Sequence, residues 1–282
     1  MKNILVIGAG TMGSGIAQCI IEHKIGVFLF DSSTEIARNA VSKISERLQK
    51  SVDSSQITSL DKQEILARIN VIEDIQQAKS ADFVIEAIIE DIKVKKSLFT
   101  RLGKIFPKAV VLASNTSSLS IREIAESTNY PERVAGMHFF NPAHKMNLVE
   151  IVRGEKTSKE TIKTIKALAE SIGKTPVEVN DRPGFIVNRL LIPMINEAAI
   201  LLEENIADRD SIDTAMKLGA GHPMGPLALA DLIGIDICLH IMENLEKQLH
   251  NSKYSACKIL KQMVKEHKLG RKTKEGFYKY ER

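Results

Sequence analysis

The chain has 282 residues, 44% hydrophobic and 26% charged, with a formal net charge of +4. Its length accommodates one or two hydrophobic cores, and its balance of apolar and charged residues is that of a globular protein. The charge is too small to point to nucleic acid, and no apolar run approaches the ~20 residues that a membrane-spanning helix needs. The longest candidate, Gly184 to Leu202, carries Asn188, Arg189, Asn196 and Glu197 and reads as a buried helix. The Ile4 to Ile7 run after Lys2 is too short for a secretory signal core.

Cys19, Cys238 and Cys257 lie far apart and form no CxxC. They suit a reducing cytoplasm and suggest neither a disulfide framework nor a metal site. The charge is uneven: Lys253 to Arg282 holds 10 Lys+Arg against 3 Asp+Glu. Such a tail either meets an anionic ligand or forms a solvated helix face.

In chain order, short β-branched runs alternate with amphipathic stretches. Strands are predicted at Asn3–Ile7, Gly26–Phe30, Ile69–Ile72, Phe83–Ile85, Val110–Ala113 and Val134–His138. Helices are predicted at Met12–His23, Glu35–Lys50 and Val94–Ile105, and a helix over Ser158–Ile172 separates two further strands, Leu148–Val152 and Thr175–Val179. Short apolar strands alternating with helices imply an α/β fold, a Rossmann-type doubly wound sheet that is mainly parallel and covered on both faces.

Past Asn180 the pattern changes. Arg182-Pro183-Gly184 punctuates the chain, and apolar residues from Ile186 to Leu202 follow helical spacing, with a kink expected at Pro193. Further helices are predicted over Ile212–Leu218, Leu227–Leu249 and Cys257–Glu266. The expectation is residues 1–180 as a dinucleotide-binding domain and 181–282 as a smaller all-helical domain.

Gly8-Ala9-Gly10-Thr11-Met12-Gly13 is a GxGxxG directly after a strand and at the opening of a helix. Gly8 permits the tight turn, Gly10 lets backbone approach a pyrophosphate, and Gly13 lets helix and strand pack closely. The helix N-terminus, including Thr11 and Met12, then faces the phosphates. Asp31 closes the second strand, where a carboxylate takes the ribose hydroxyls and opposes a 2′-phosphate, favouring NAD over NADP. The alternative is a ligand-free glycine turn with Asp31 as a helix cap.

His138 ends the sixth strand, at the ligand-facing edge of such a sheet. A histidine there can take the proton of an alcohol while a hydride leaves for a nicotinamide. Glu150, a carboxylate inside the apolar run Leu148–Val152, needs a partner, and His138 is the attractive one; both could equally be satisfied structural groups. The hydroxyls of Ser114-Asn115-Thr116-Ser117-Ser118 follow the fifth strand and suit a nicotinamide, a substrate or the cap of a helix starting near Ile121. Asn188 lies on an apolar helix face and needs a partner, from ligand or backbone. Glu90 and Lys95 follow the fourth strand, where they either reach a cofactor or are exposed helix charges.

Together these motifs resemble the single-function 3-hydroxyacyl-CoA dehydrogenases, the 3-hydroxybutyryl-CoA dehydrogenases in particular. The resemblance runs from Val6 to Tyr278. It includes Gly8–Gly13, Ala113–Ser118, Met137-His138-Phe139-Phe140-Asn141-Pro142, Pro183-Gly184-Phe185, Asn188-Arg189, His222-Pro223-Met224-Gly225-Pro226 and Gly276-Phe277-Tyr278. It implies His138 as general base with Glu150 orienting it, and Ser117 and Asn188 on the substrate oxygens. It further implies that Glu90, Lys95, Ser117, Asn141 and Lys272 join Asp31 in holding NAD. The implied substrate is a short-chain (S)-3-hydroxyacyl-CoA, handled by a cytoplasmic homodimer built on the helical domain, with no nucleic-acid or membrane partner. Arg47 and Lys50 are the expected CoA contacts; Asp53-Ser54 stands where the family is often lysine-rich, so Lys145 and the basic C-terminal segment are candidates to supply the missing charge. Two readings stay open beside this one: an NAD-binding structural protein, and a dehydrogenase of free hydroxy acids or sugar acids.

Overall fold

The computed structural model describes residues 1–281; Arg282, the end of the basic tail, lies outside the described residues. The chain divides into two compact units, Met1–Arg182 and Pro183–Arg282, two residues beyond the boundary expected from the change in pattern.

The first unit is built on eight strands: β1 (Asn3–Ile7), β2 (Gly26–Phe30), β3 (Ile69–Ile72), β4 (Phe83–Glu86), β5 (Val111–Ser114), β6 (Val134–Phe139), β7 (Leu148–Arg153) and β8 (Thr175–Asn180). They form one sheet in the order β3-β2-β1-β4-β5-β6-β7-β8. All neighbours are parallel except β6 and β7, which run antiparallel. The expected mainly parallel, doubly wound sheet is therefore present. Its central strands are buried on both faces, which is why they read as continuous apolar runs rather than as alternating ones.

Six helices accompany the sheet: α1 (Thr11–Glu22), α2 (Thr34–Asp53), α3 (Ser59–Leu66), α4 (Ile92–Ile105), α5 (Ile121–Ala125) and α6 (Lys159–Ser171). Asp91 caps α4 by accepting the N–H groups of Lys93 and Val94, and Ser158 caps α6 through Thr161. The hydroxyl that caps α5 is Ser120, two residues past the expected run. Helix α3 was not expected: it buries none of its residues, so no apolar period announces it. Its signal is the Thr58–Asp61 capping box, in which each side chain bonds the other's backbone N–H.

The second unit is all helical: α7 (Val187–Glu203), α8 (Arg209–Gly219), α9 (Pro226–Ile233), α10 (Ile235–Leu249) and α11 (Lys258–Lys265). Helix α7 runs through Pro193. The single helix predicted over Leu227–Leu249 is instead two, because Gly234 adopts φ +109° and breaks the hydrogen-bond ladder there. Ile195, Ala199, Leu227, Ile235, Cys238 and Met242 centre this unit's core.

Two buried carboxylates tie the unit together. Asp213 on α8 accepts the N–H groups of Leu227 and Ala228 and the Tyr278 hydroxyl, capping α9 from outside. Asp231 on α9 accepts the N–H groups of Phe277 and Tyr278 and the Tyr280 hydroxyl. Each demands a glycine beside it: a Cβ would stand 2.2 Å from Asp213 Cγ at Gly225 and 1.9 Å from Asp231 Oδ1 at Gly276. Among the described residues no helix is long and apolar enough to cross a membrane.

Candidate active site

The strand order reverses between β1 and β4, and the carboxyl ends of the strands there open onto the ligand crevice of such sheets. Gly8 leaves β1 with φ +96°, and a Cβ on it would meet the Ala87 carbonyl oxygen at 2.5 Å. At Gly13 a Cβ would lie 1.7 Å from the Gly8 oxygen, so only glycine allows α1 to sit so close to the turn. Gly10 differs: a Cβ there meets nothing within 4 Å. That open space lies at the start of α1, whose first turn has no side-chain cap and no acidic residue. The uncapped N–H groups of Thr11, Met12 and Gly13 and the positive end of the helix dipole suit a pyrophosphate.

Asp31 directly follows β2. Its Oδ2 accepts the Ala9 N–H at 2.7 Å, and its Oδ1 accepts from the Ser32 hydroxyl and the Ser33 N–H. The carboxylate is thus held against the glycine turn, while the capping position of α2 belongs to Ser33. A fixed carboxylate at this strand end fits a ribose diol and disfavours a 2′-phosphate.

The antiparallel pairing of β6 and β7 places His138 directly opposite Glu150. Their side chains meet with Nδ1 to Oε2 at 2.8 Å. His138 is 6% exposed and Glu150 1%. A buried ionised carboxylate is tolerated when paired in this way. Phe140 lies against the imidazole, ring centroids 4.6 Å apart. The Asn115 side chain accepts the Phe139 N–H at 2.8 Å, joining the end of β5 to that of β6. Asn141 follows on the exposed turn that leaves β6.

Glu90 and Ser117 come together. Glu90 Oε1 accepts from the Thr116 hydroxyl at 2.6 Å, from the Ser117 and Ser118 N–H groups at 2.9 and 3.2 Å, and from the Ser117 and Ser118 hydroxyls at 3.3 and 3.2 Å. Burial acts to raise the Glu90 carboxyl; the Lys95 charge and these hydrogen bonds outweigh it and hold the group below its ordinary value. Of the two readings open for Lys95, the exposed helix charge is excluded: it is 1% exposed, with Nζ 2.5 Å from Glu86 Oε1 and 3.4 Å from Glu90 Oε2. Glu86, fully buried, was missed from the sequence. The signal was an acid inside the apolar run Phe83-Val84-Ile85-Glu86-Ala87-Ile88-Ile89, the same pattern that singled out Glu150.

At the second helix, Arg47 donates Nε–H to Gln18 Oε1 at 2.6 Å, and its buried Nη2 has no hydrogen-bond partner among the described residues. His144 Nδ1 is likewise buried without one. Burial, followed by the charges of Arg47, Lys145 and Lys174, holds the His144 imidazole below its ordinary value. Lys50 and Lys145 are exposed. In the second unit Asn188 sits half-buried on the first turn of α7. Lys272 Nζ donates to both carboxylate oxygens of Asp236, at 2.5 and 2.6 Å.

Among the described residues no cluster of His, Cys, Asp and Glu could hold a metal ion.

Comparison with known proteins agrees with this arrangement. Residues 3–182 match the profile "3-hydroxyacyl-CoA dehydrogenase, NAD binding domain", and residues 184–280 match "3-hydroxyacyl-CoA dehydrogenase, C-terminal domain". The chain is 48% identical over 281 residues to a probable 3-hydroxybutyryl-CoA dehydrogenase of Bacillus subtilis, covering 100% of this chain and 98% of the relative. It is 46% identical over 277 residues to the 3-hydroxybutyryl-CoA dehydrogenase of Clostridioides difficile, covering 98% and 99%. The crystal structure of (S)-3-hydroxybutyryl-CoA dehydrogenase from Ralstonia eutropha superposes with a TM-score of 0.96 at 41% identity, each chain covered in full. An NAD-binding unit followed by a helical unit, matched end to end in this way, makes the chain a member of the 3-hydroxyacyl-CoA dehydrogenase family.

Proposed function

We propose that this chain interconverts a short-chain (S)-3-hydroxyacyl-CoA and the 3-oxoacyl-CoA, with 3-hydroxybutyryl-CoA and acetoacetyl-CoA as the pair it serves. The observation that carries this reading is the buried His138–Glu150 pair at the carboxyl end of β6. NAD, when bound, accepts the hydride in the oxidative direction. The Glu150 carboxylate accepts the Nδ1–H of His138, which fixes the tautomer and makes Nε2 the atom that takes the hydroxyl proton. As that proton arrives, Glu150 stabilises the imidazolium. In the reductive direction Nε2 returns the proton to the substrate oxygen.

The Ser117 hydroxyl, held only at 3.3 Å by Glu90, is available to turn toward a ligand oxygen. Gly8, Gly10, Thr11, Met12, Gly13 and Asp31 hold the dinucleotide as the geometry of the turn suggests, and Glu90 borders its nicotinamide half. Asn141, Lys272 and Asn188 are assigned from the family likeness, the first two to the cofactor and Asn188 to the substrate carbonyl. Arg47, with Lys50 and Lys145 nearby in sequence or charge, is the candidate for the CoA phosphates, because a buried guanidinium nitrogen without a partner is costly unless something completes it. The exposed apolar side chains Leu190, Ile206, Leu218, Leu232 and Ile237 support a homodimer formed through the second unit. Three free cysteines suit a cytoplasmic setting.

The test is NADH oxidation with acetoacetyl-CoA and, in parallel, with free acetoacetate. Turnover of the thioester at much the higher kcat/KM is expected. Equal efficiency with acetoacetate would move the substrate to free oxo acids, and NADH binding without turnover of either would leave an NAD-binding structural protein.

A further inference from the structure

The loop that carries Ser117 runs from the end of β5 at Ser114 to the start of α5 at Ile121, and it is fastened at both ends. At the front, Glu90 accepts the Ser117 N–H at 2.9 Å, and the hydroxyl oxygen of the buried Thr116 accepts the Leu119 N–H at 2.9 Å. At the rear, the fastening comes from far along the chain. Asp181 Oδ2 accepts both the Ser120 hydroxyl and the Arg122 N–H, each at 2.9 Å. The Asp181 N–H donates to the Arg153 carbonyl at 2.9 Å, one step past Arg153 and Asn180, the last pair of β7 and β8. The sheet edge therefore holds Asp181, and the Asp181 side chain holds the loop.

The stability of α5 does not by itself explain this contact. Elsewhere in the first unit the side chains that cap α-helices are local: Thr58 at α3, Asp91 at α4 and Ser158 at α6. Helix α5 has such a residue in Ser120, yet its hydroxyl oxygen reaches the Glu123 N–H only at 3.4 Å, and Asp181 takes the hydroxyl proton and the Arg122 N–H. A helix of five residues cannot hold its own position, because one turn is too short to offset the cost of nucleation. Its place is set by Ile121, fully buried over Gly136 and Gly154, and by Asp181. Asp181 is also the last residue but one of the first unit; Pro183 and Gly184, at φ +75°, follow. The contact thus fixes the Ser117 loop to the point where the chain leaves the sheet.

We propose that Asp181 is a positioning residue for Ser117: by tying Ser120 and the first turn of α5 to the end of β8, it sets where the Ser117 hydroxyl stands when substrate is bound. It acts through the loop and touches neither substrate nor cofactor. This inference rests on the role proposed above for Ser117.

The experiment is a double-mutant cycle on kcat/KM for acetoacetyl-CoA, with NADH saturating for each variant. Asp181→Ala is expected to lower kcat/KM about 10- to 100-fold, the scale of a displacement of order 1 Å at a group that must be aligned with the substrate. In the Ser117→Ala background the same change is expected to cost less than about twofold, because a residue that acts only through Ser117 has nothing left to position. A merely structural role would instead lower Tm and give the same factor in both backgrounds. Asp181→Asn keeps an acceptor oxygen in the place of Oδ2 and should hold kcat/KM within about fivefold of wild type. If Asp181→Ala does not fold, Ser120→Ala, which removes one of the two contacts, takes its place in the cycle. Equal losses in the two backgrounds, a kcat/KM unmoved by Asp181→Ala, or Asp181→Asn as impaired as Asp181→Ala, overturns the proposal. Full activity of Ser117→Ala would instead overturn the role of Ser117 on which it rests.

Discussion

Replacing Glu150 by glutamine tests the pairing at the centre of the site. The change keeps the volume of a residue that is 1% exposed and removes one charge 2.8 Å from His138 Nδ1. Two unit charges at that separation interact by about 6 kcal/mol at an effective dielectric near 20. This is a ceiling, because the amide retains one hydrogen bond and the imidazolium is only partly formed in the transition state. A third to two thirds of it, about 2–4 kcal/mol, corresponds to a loss of roughly 30- to 1000-fold in kcat. The amide can also present its N–H₂ to Nδ1, which moves the ring proton to Nε2 and removes the base from the substrate. The assay is steady-state reduction of acetoacetyl-CoA, with NADH binding followed separately by its fluorescence. The expected outcome is the fall in kcat with Kd for NADH unchanged within about twofold, since Glu150 lies away from the glycine turn. A variant that keeps kcat within about threefold of wild type would refute the reasoning, because a charge at this distance cannot be so ineffective if His138 becomes cationic.

Three further outcomes follow from separate parts of the structure. Gly13→Ala places a methyl 1.7 Å from the Gly8 oxygen; it should cost ~1–3 kcal/mol or more and abolish the rise in Tm that NAD confers on the wild type. Gly276→Ala sets a methyl 1.9 Å from Asp231 Oδ1 and should lower Tm by a similar cost while leaving NADH binding intact, because the strain is confined to the second unit. Glu90 is held below its ordinary carboxyl value, so its contribution to stability is fully present at neutral pH and is lost as pH falls through the depressed value. The Tm gap between wild type and Glu90→Gln should therefore close only below the usual titration range of a glutamate; a gap that persists into strong acid would contradict the assignment.

Much of the first unit was legible because a sheet covered on both faces writes its strands as apolar runs, and β1, β2 and β3 fall where those runs lie. The GxGxxG was legible for a related reason, as backbone sterics leave no residue but glycine at Gly8 and Gly13. The His138–Glu150 pairing was an inference from type and place. What the sequence did not show was the antiparallel turn between β6 and β7, which makes a separation of twelve residues into a direct cross-strand contact.

Elements stabilised by polar contacts stayed hidden. Helix α3 has no buried face to create a period, and its capping box is its main local signal. The break at Gly234 was masked by apolar residues on both sides of it. The segments His222–Pro226 and Gly276–Tyr278 were visible as family motifs with no physical reason attached. The structure supplies it in Asp213 and Asp231, which stand outside those motifs on α8 and α9 and leave no room for a side chain at Gly225 or Gly276. The place of Lys95 after the fourth strand left a cofactor contact and an exposed helix charge both open; only the fold shows that it is buried beside two acids.

The account's central claim is that His138 exchanges the substrate proton in concert with hydride transfer. It is tested most directly by His138→Gln in single-turnover reduction of acetoacetyl-CoA by enzyme-bound NADH, which separates chemistry from binding and release. The account predicts normal NADH binding and a chemical step slowed by about 10²–10⁴-fold. A variant whose single-turnover rate stays within about threefold of wild type would contradict it and place the acid–base function on another residue.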